Sequence, residues 1–162
     1  MKKSSIRIIG LSKHSNWVSS SFFMISPDND YAYTFSDCGV IPEPTSEQLC
    51  SIAYEAANLH KLLSDEEPIV AFLSFSTKGS ASHYRVDRVR DAVEIFGNEY
   101  PQIIHDGEVQ VDAAIIPEVN KLKISNSPIN GQANVLIFPN LDAGNIAYKI
   151  IQRLGGYSAW GP

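Results

Sequence analysis

The sequence IVAFL at Ile69–Leu73 decides the fold, because it is a continuous apolar run. Such runs are typical of strands that are buried on both faces, as in a parallel sheet. A small polar loop, 74–82, follows it, and the apolar residues of His83–Asn98 then recur at helical spacing. The same order returns at Asn134–Phe138, a buried strand, and from Asp142 or Ala143 to Leu154, a helix. Two strand–loop–helix units predict an α/β domain with right-handed crossovers and a mostly parallel sheet.

The segments before this unit predict an antiparallel hairpin and a first helix. Val18–Ser26 is rich in β-branched and aromatic residues, and Tyr31–Ser36 alternates as a half-buried strand does. Turn-forming residues, Pro27–Asp30, separate these two strands. Thr45 and Gln48 fit a capping box, which predicts a helix over Ser46–Leu63. The predicted fold is therefore a three-layer α/β/α domain with a mostly parallel sheet and an antiparallel hairpin.

Residues 101–132 give a weaker pattern. Ile103 and Ile104 are compatible with a short strand, and Glu108–Ile116 fits either a helix or an irregular segment, so both remain open. Ser125–Gln132 contains proline and glycine and predicts a loop. Gly155-Gly156 predicts the end of the last helix.

Length, charge and cysteine content limit the functional classes. The chain has 162 residues, which predicts one domain over 1–162. Its formal charge is −5, so it lacks the basic surface typical of binding to nucleic acid or to an anionic membrane. No apolar run approaches the roughly 18 residues of a membrane span. Two cysteines do not form a disulfide framework. These properties predict a soluble, cytoplasmic protein.

The two loops after the buried strands are the first places to expect a ligand, because open α/β sheets bind ligands beyond the carboxyl ends of their strands. The first loop contains Ser76-Thr77-Lys78-Gly79-Ser80 before a helix. Its hydroxyls, backbone N–H groups and lysine suit a phosphate or pyrophosphate. It is not a P-loop, which needs G-x-x-x-x-G-K-[ST]. An ordinary polar connection capped by serines is an equally good interpretation, so both stay open.

The second loop runs over Pro139–Asn145. Asn145 and Tyr148 are three residues apart and would share a helix face that can point into a cleft. The alternative is that Asp142 caps the helix and Tyr148 packs against the sheet, and the local pattern favours this alternative.

Two further groups of residues have a structural interpretation and a chemical one. His105-Asp106-Gly107-Glu108, with Asp112, forms an acidic cluster, but its spacing matches no metal motif. Loop capping with a tight turn at Gly107 is favoured over a metal site. Cys38 follows a strand without a visible positive neighbour, so a buried inert thiol is favoured over a reactive one. No metal and no cofactor is predicted.

Longer strings of the chain resemble the phosphate acetyltransferase (phosphotransacetylase) family. Matching strings occur in the same order over most of 6–162. They are Val18–Met24, Asp37-Cys38, Pro44–Leu49, Leu73–Ser80, Asp106–Ala114, Ala133–Pro139, Asp142–Ile146, Tyr148-Lys149 and Gln152–Gly156.

The resemblance implies reversible acetyl transfer, in which acetyl-CoA and phosphate give acetyl phosphate and CoA. Coenzyme A is then a substrate rather than a cofactor. Such transfer needs a base for the thiol, cationic donors for phosphate and stabilisation of an oxyanion. The family is similar in fold to the isocitrate/isopropylmalate dehydrogenases, with two α/β domains, an active site in the cleft between them and usually a dimeric assembly.

The resemblance also implies that the chain is the second, inserted domain, which forms one wall of the cleft. In the family, further sequence with a Ser-Arg pair and an Asp follows the Gly-Pro found here at Gly161-Pro162, so no catalytic residue is assigned. The expected substrate-binding residues are Ser76, Thr77, Lys78, Gly79, Ser80, Asp142, Gly144, Asn145 and Tyr148. The expected partners are acetyl-CoA or CoA, phosphate or acetyl phosphate, and a second copy in a homodimer. The alternative is a non-catalytic oligomerisation or regulatory module of the same fold, as malic enzymes carry.

Overall fold

One six-stranded sheet organises the protein, which is seen in a computed structural model that describes residues 17–161. The strands are β1 (Ser21–Ile25), β2 (Ala32–Ser36), β3 (Ile69–Leu73), β4 (Ile104–Val109), β5 (Val135–Ile137) and β6 (Ser158–Trp160). The helices are α1 (Ser46–Ser64), α2 (Tyr84–Glu99), α3 (Val111–Ile115), α4 (Pro117–Lys123) and α5 (Leu141–Leu154). The spatial order of the strands is β4-β3-β5-β2-β1-β6.

The sheet is parallel on one side and antiparallel on the other, as the sequence predicted. β3 pairs in parallel with β4 and β5, and β2 pairs in parallel with β5. β1 pairs antiparallel with β2 and with β6. The predicted hairpin is therefore confirmed, and it extends the parallel part of the sheet.

Helices cover both faces of the sheet and give three layers. Val70 and Phe72 point to the face covered by α1 and α2. Ala71 and Leu73 point to the opposite face, where they share a core with α3 and the buried side of α5. Because successive residues of a strand face opposite sides, this alternation explains why the IVAFL run is apolar throughout.

The predicted cap of α1 is present, but α5 is capped by a different residue from the one that the sequence suggested. The Thr45–Gln48 capping box is present at the start of α1. α2 begins at Tyr84, and His83 caps it by accepting the N–H of Arg85. α5 is capped by Asn140, which accepts the N–H of Ala143, so the interpretation of Asp142 as the cap is wrong.

The structure resolves the region that the sequence left open. β4 continues to Val109, so Gly107 lies within a strand and the expected tight turn there is wrong. A Cβ on Gly107 would lie 2.7 Å from Val93 Cγ2 and 2.8 Å from Phe72 Cβ, because α2 crosses the sheet closely at this point. Glu108–Ile116 is therefore the end of a strand followed by the short helix α3.

Candidate functional site

The expected substrate-binding residues lie beyond the carboxyl ends of β3 and β5, which are parallel neighbours. Ser76–Ser80 lies in the connection from β3 to α2, and Asp142–Tyr148 lies in the first turns of α5. The two helices pack on opposite faces of the sheet. The two loops thus lie at the same edge of the sheet, although the helices that follow them cover opposite faces.

Glu108 fixes the first loop from the neighbouring strand β4. Its side chain is buried, and its Oε1 accepts hydrogen bonds from Ser76 Oγ at 2.9 Å and from Gly79 N at 2.8 Å. Arg90 on α2 donates to both carboxylate oxygens, from Nε at 2.8 Å and from Nη2 at 3.0 Å. One carboxylate therefore ties the loop to β4 and to α2.

These contacts determine the ionisation of Glu108. Burial alone raises the pKa of this carboxyl group, but hydrogen bonds from Arg90, Gly79 and Ser76 outweigh burial and lower the pKa to about 2. Glu108 is therefore negatively charged at neutral pH, because charge-assisted hydrogen bonds stabilise its carboxylate form.

Asp106 fixes the same loop at a second point. Lys78 Nζ forms an ion pair with Asp106, and it also donates to the carbonyl of Gly107 at 2.8 Å. The other oxygen of Asp106 accepts from Ser127 Oγ at 2.6 Å. Lys78 has a φ of +45° and Gly79 a φ of +88°, so this chain reversal requires the conformational freedom of glycine at 79.

Inside the loop, the remaining polar groups also have partners. Thr77 N donates to Ser80 Oγ at 2.9 Å, and Gln110 N donates to Thr77 Oγ1 at 3.0 Å. The groups that suggested an anion site in the sequence are thus engaged by carboxylates and by each other. Contact of Ser76, Thr77, Lys78, Gly79 or Ser80 with a substrate stays a prediction.

The start of α5 is fixed by close packing against the segment after β2. A Cβ on Gly144 would lie 2.5 Å from the carbonyl oxygen of Asp37 and 3.0 Å from Cys38 Sγ. Asn145 Nδ2 donates to the carbonyl of Cys38 at 3.2 Å. Only a residue without a side chain permits this approach at position 144.

Asp37 in turn organises the segment that α5 contacts. Its Oδ1 accepts from Ser20 Oγ at 2.6 Å and from the N–H of Gly39 at 2.9 Å, and its Oδ2 accepts from Ile41 N at 2.8 Å. A buried carboxylate surrounded by donors stabilises this turn. Its role in the fold is therefore to hold the surface on which Gly144 rests.

Tyr148 packs against the sheet, as the alternative interpretation of the second loop predicted. Its ring stacks on Phe22 of β1 with centroids 4.1 Å apart. Asn145 lies one turn earlier, and its Oδ1 accepts from Lys149 Nζ at 2.8 Å. Contact of Asp142, Gly144, Asn145 or Tyr148 with a substrate also stays a prediction.

Two arginines of α2 interact with the segments that precede α1 and follow β5. Arg88 Nη1 donates to Glu43 at 3.0 Å and its Nη2 donates to the carbonyl of Pro139 at 2.8 Å. The Tyr84 hydroxyl, Glu43 and Asp142 all raise the pKa of Arg85, in that order of contribution. Arg88 therefore joins α2 to the loop after β5.

The sequence located the acidic pair Asp106 and Glu108 and favoured loop capping for it, and both carboxylates do hold the loop Ser76–Ser80. It did not identify the arginines that build this edge. By their pattern alone the charged residues of α2 fit a solvated helix face, yet Arg88 is 14% exposed and Arg90 reaches the buried Glu108. The helical spacing of Arg90 to the apolar residues gave no signal for this contact.

The cysteines have the inert character that the sequence favoured. Cys38 is fully buried, and burial raises the pKa of its thiol. Cys50 is also buried, and burial together with Glu99 raises its pKa to about 12. Both thiols therefore stay protonated and unreactive at neutral pH.

Neither a metal-binding cluster nor a membrane-spanning helix occurs within residues 17–161. Within this range no group of three or more His, Cys, Asp or Glu side chains could hold a metal ion. Within the same range no helix is both long enough and apolar enough to cross a membrane.

Comparisons with known proteins agree on one family. The family model described as "Phosphate acetyl/butaryl transferase" matches residues 2–162. A phosphate acetyltransferase of Thermoanaerobacterium thermosaccharolyticum is 53% identical over 149 residues, which are 90% of this chain and 45% of the relative. That of Acetivibrio thermocellus is 42% identical over 97% of this chain and 48% of its own length. The chain thus spans about half the length of the curated relatives it matches.

A solved structure agrees with the sequence comparison. A phosphotransacetylase from Streptococcus pyogenes superposes with a TM-score of 0.92 at 40% identity. The match covers 98% of this chain and 48% of that one.

Proposed function

The chain belongs to the phosphate acetyl/butaryl transferase family, and from this premise we propose that it forms one wall of the active-site cleft of a phosphate acetyltransferase. The proposed reaction is acetyl-CoA + phosphate ⇌ acetyl phosphate + CoA. The observation that carries the proposal is the 53% identity to a phosphate acetyltransferase over 90% of this chain.

In the direction of acetyl-CoA formation, the thiol of CoA loses its proton to a base, and its sulfur forms a bond to the acetyl carbon. The bond from that carbon to the phosphate oxygen then breaks, and phosphate leaves. Alignment of both substrates allows direct transfer. The protonated, buried state of Cys38 supports transfer without an acyl-cysteine intermediate. We assign no catalytic residue within 17–161.

The described residues contribute shape and charge to the wall. Glu108 and Asp106 hold the loop Ser76–Ser80 in one conformation, and Asp37 holds the surface under Gly144. A preorganised wall lowers the entropic cost of placing two substrates. The position of both loops beyond the carboxyl ends of parallel strands supports a substrate-facing role.

The proposal includes a homodimer and a cytoplasmic location. Ile146, Ile150 and Leu154 form an exposed stripe along α5, with exposures of 57%, 51% and 85%. An apolar stripe at i, i+4 and i+8 is a typical contact surface between copies of a chain. The two free cysteines suit a reducing compartment such as the cytoplasm. Light scattering tests the dimer, and a monomer at high concentration would contradict it.

An activity assay tests the reaction. Acetyl phosphate and CoA are supplied, and thioester absorbance reports acetyl-CoA. We expect the natural polypeptide that carries this sequence to catalyse the reaction, and residues 1–162 alone to show little or no turnover. Absence of turnover by the natural polypeptide would contradict the proposed function, and robust turnover by residues 1–162 would contradict the single-wall assignment.

A further inference from the structure

Three aromatic side chains form an exposed cluster at the same edge of the sheet. Phe75 is 58% exposed and Tyr84 is 63% exposed, and the exposed ring of His83 lies between them. The centroid distances are 6.0 Å from Phe75 to His83 and 4.5 Å from His83 to Tyr84. These three residues are called the aromatic platform below. The ring planes are inclined by 70° between Phe75 and His83 and by 35° between His83 and Tyr84, so the cluster offers separate ring faces to solvent. Single exposed aromatic rings are common, but three in contact are less so.

The backbone holds Phe75 in this exposed position. The carbonyl of Phe75 accepts from Gln110 Nε2 at 3.0 Å, and the next residue, Ser76, is tied to Glu108. Before it, Ser74 N donates to the carbonyl of Val109 at 2.9 Å. The residues on both sides of Phe75 are therefore fixed to β4, and its ring is presented to solvent by an ordered loop.

His83 and Tyr84 are fixed as well. His83 Nδ1 caps α2 by accepting Arg85 N at 3.2 Å, which sets the ring's orientation. The guanidinium of Arg85 lies over the Tyr84 ring, 5.7 Å from its centroid. Arg85 uses Nε for its contacts with Tyr84 and Glu43, and among the described residues no hydrogen bond engages its two terminal nitrogens. A cation with free donors thus borders the aromatic platform.

We propose that the aromatic platform stacks the adenine of coenzyme A and that Arg85 pairs with a phosphate of the same nucleotide. Adenine stacks on aromatic faces, and guanidinium groups bind phosphate through paired donors. The position beyond the carboxyl end of β3 is where open α/β sheets bind nucleotides. This inference rests on the proposed function, because that function supplies the nucleotide.

Calorimetric titration of residues 1–162 tests the inference, with adenosine 3′,5′-bisphosphate, CoA and pantetheine as separate probes. Phe75→Leu removes a π face but keeps an apolar side chain, and Tyr84→Ala removes a ring. We expect each variant to weaken the bisphosphate and CoA about tenfold, the size of effect typical of one lost stacking ring. Tyr84→Phe keeps the ring and is expected to bind as the unmodified chain does. Tyr31→Ala removes a ring that is 61% exposed elsewhere and serves as the control.

Each outcome has one meaning. Loss of bisphosphate and CoA binding in Phe75→Leu and Tyr84→Ala, with Tyr31→Ala unaffected, supports the aromatic platform. Unchanged binding in these variants overturns it and leaves the proposed function standing, provided that the natural polypeptide still transfers acetyl groups. Absence of bisphosphate binding to the unmodified chain also overturns it. Bisphosphate binding that Phe75→Leu and Tyr84→Ala both weaken, together with no acetyl transfer by the natural polypeptide, supports the platform and contradicts the proposed function.

Discussion

The loops after β3 and after β5 occupy equivalent positions on neighbouring parallel strands, but different forces fix them. Loop Ser76–Ser80 is held by two carboxylates, Glu108 and Asp106, that reach it from β4. The start of α5 is held by close backbone packing, with Gly144 against Asp37. The first region therefore depends on charge and hydrogen bonds, and the second depends on the absence of a side chain.

The difference shows how a motif that suggests ligand binding can be used by the fold itself. Serine, lysine and glycine in the first loop are the residue types of a phosphate site, yet Glu108 accepts from Ser76 and Gly79. In the second region, Tyr148 stacks on Phe22 and Asn145 bonds to a carbonyl. Side chains left outside these contacts, such as Phe75, are the better candidates for contact with a ligand.

The largest expected effect is at Glu108. Glu108→Gln removes the charge that pairs with Arg90 and places an amide group among hydrogen-bond donors. We expect a loss of about 3 kcal/mol in the free energy of unfolding, as for removal of one partner of a buried ion pair. Urea denaturation at pH 7 measures it.

Two variants serve as controls for this effect. Glu94→Gln changes an exposed glutamate on α2 and is expected to have little effect. The double variant Glu108→Gln/Arg90→Gln should lose less stability than the sum of the two single variants, because both substitutions remove the same contact. A Glu108→Gln protein as stable as the unmodified chain would show that charge does not hold the first loop.

Acid tests the same contact without mutation. The pKa of Glu108 is lowered to about 2, so its stabilising contribution is complete above its unfolded pKa, near 4.5, and is lost as pH falls toward 2. We expect about 3 kcal/mol of stability from this group to disappear over that range. Urea midpoints between pH 5 and pH 2 measure the loss. The Glu108→Gln protein should show a shallower decline, and equal declines would contradict the assignment.

The sequence predicted the parts of the fold that depend on hydrophobic periodicity. The IVAFL strand, the hairpin and the long helices follow from the positions of apolar residues, and the Thr45 capping box follows from local chemistry. β4 was only partly predicted, because Asp106, Gly107 and Glu108 are residue types typical of turns. They form a strand here because distant donors satisfy both carboxylates.

Less of the candidate site could be predicted from the sequence, because its contacts also depend on residues that are distant in the chain. Contacts such as Arg90 to Glu108 join residues 18 positions apart, and no local pattern marks them. β6 has three residues and is defined by pairing with β1, so its sequence carries little signal. The loops could be located, but the partners of their side chains depend on the tertiary fold.

Gly144→Ala tests the second region. The added Cβ would lie 2.5 Å from a carbonyl oxygen of the backbone, which cannot move as a side chain can. We expect a loss of about 1.5 kcal/mol, within the range for overpacking of a closely packed site. Thermal and urea denaturation measure it.

Gly97→Ala is the matched control for this effect. Its Cβ would meet the side chain of His105, at 3.1 Å from Nε2, and alanine favours a helix over glycine. This variant should be unchanged or more stable. If Gly144→Ala and Gly97→Ala destabilise the protein equally, the close approach of Gly144 to the backbone of Asp37 is not what makes position 144 sensitive.

The smallest effect on stability is expected for Asn145→Ala. This change removes the 3.2 Å hydrogen bond to the carbonyl of Cys38 and an exposed contact with Lys149. Single hydrogen bonds of this kind contribute about 1 kcal/mol or less. If Asn145 faces substrate, the rate of acetyl transfer by the natural polypeptide should fall by more than this loss of stability explains, whereas Lys149→Ala should leave the rate unchanged. Equal rates in both variants would limit Asn145 to its structural contacts with Cys38 and Lys149.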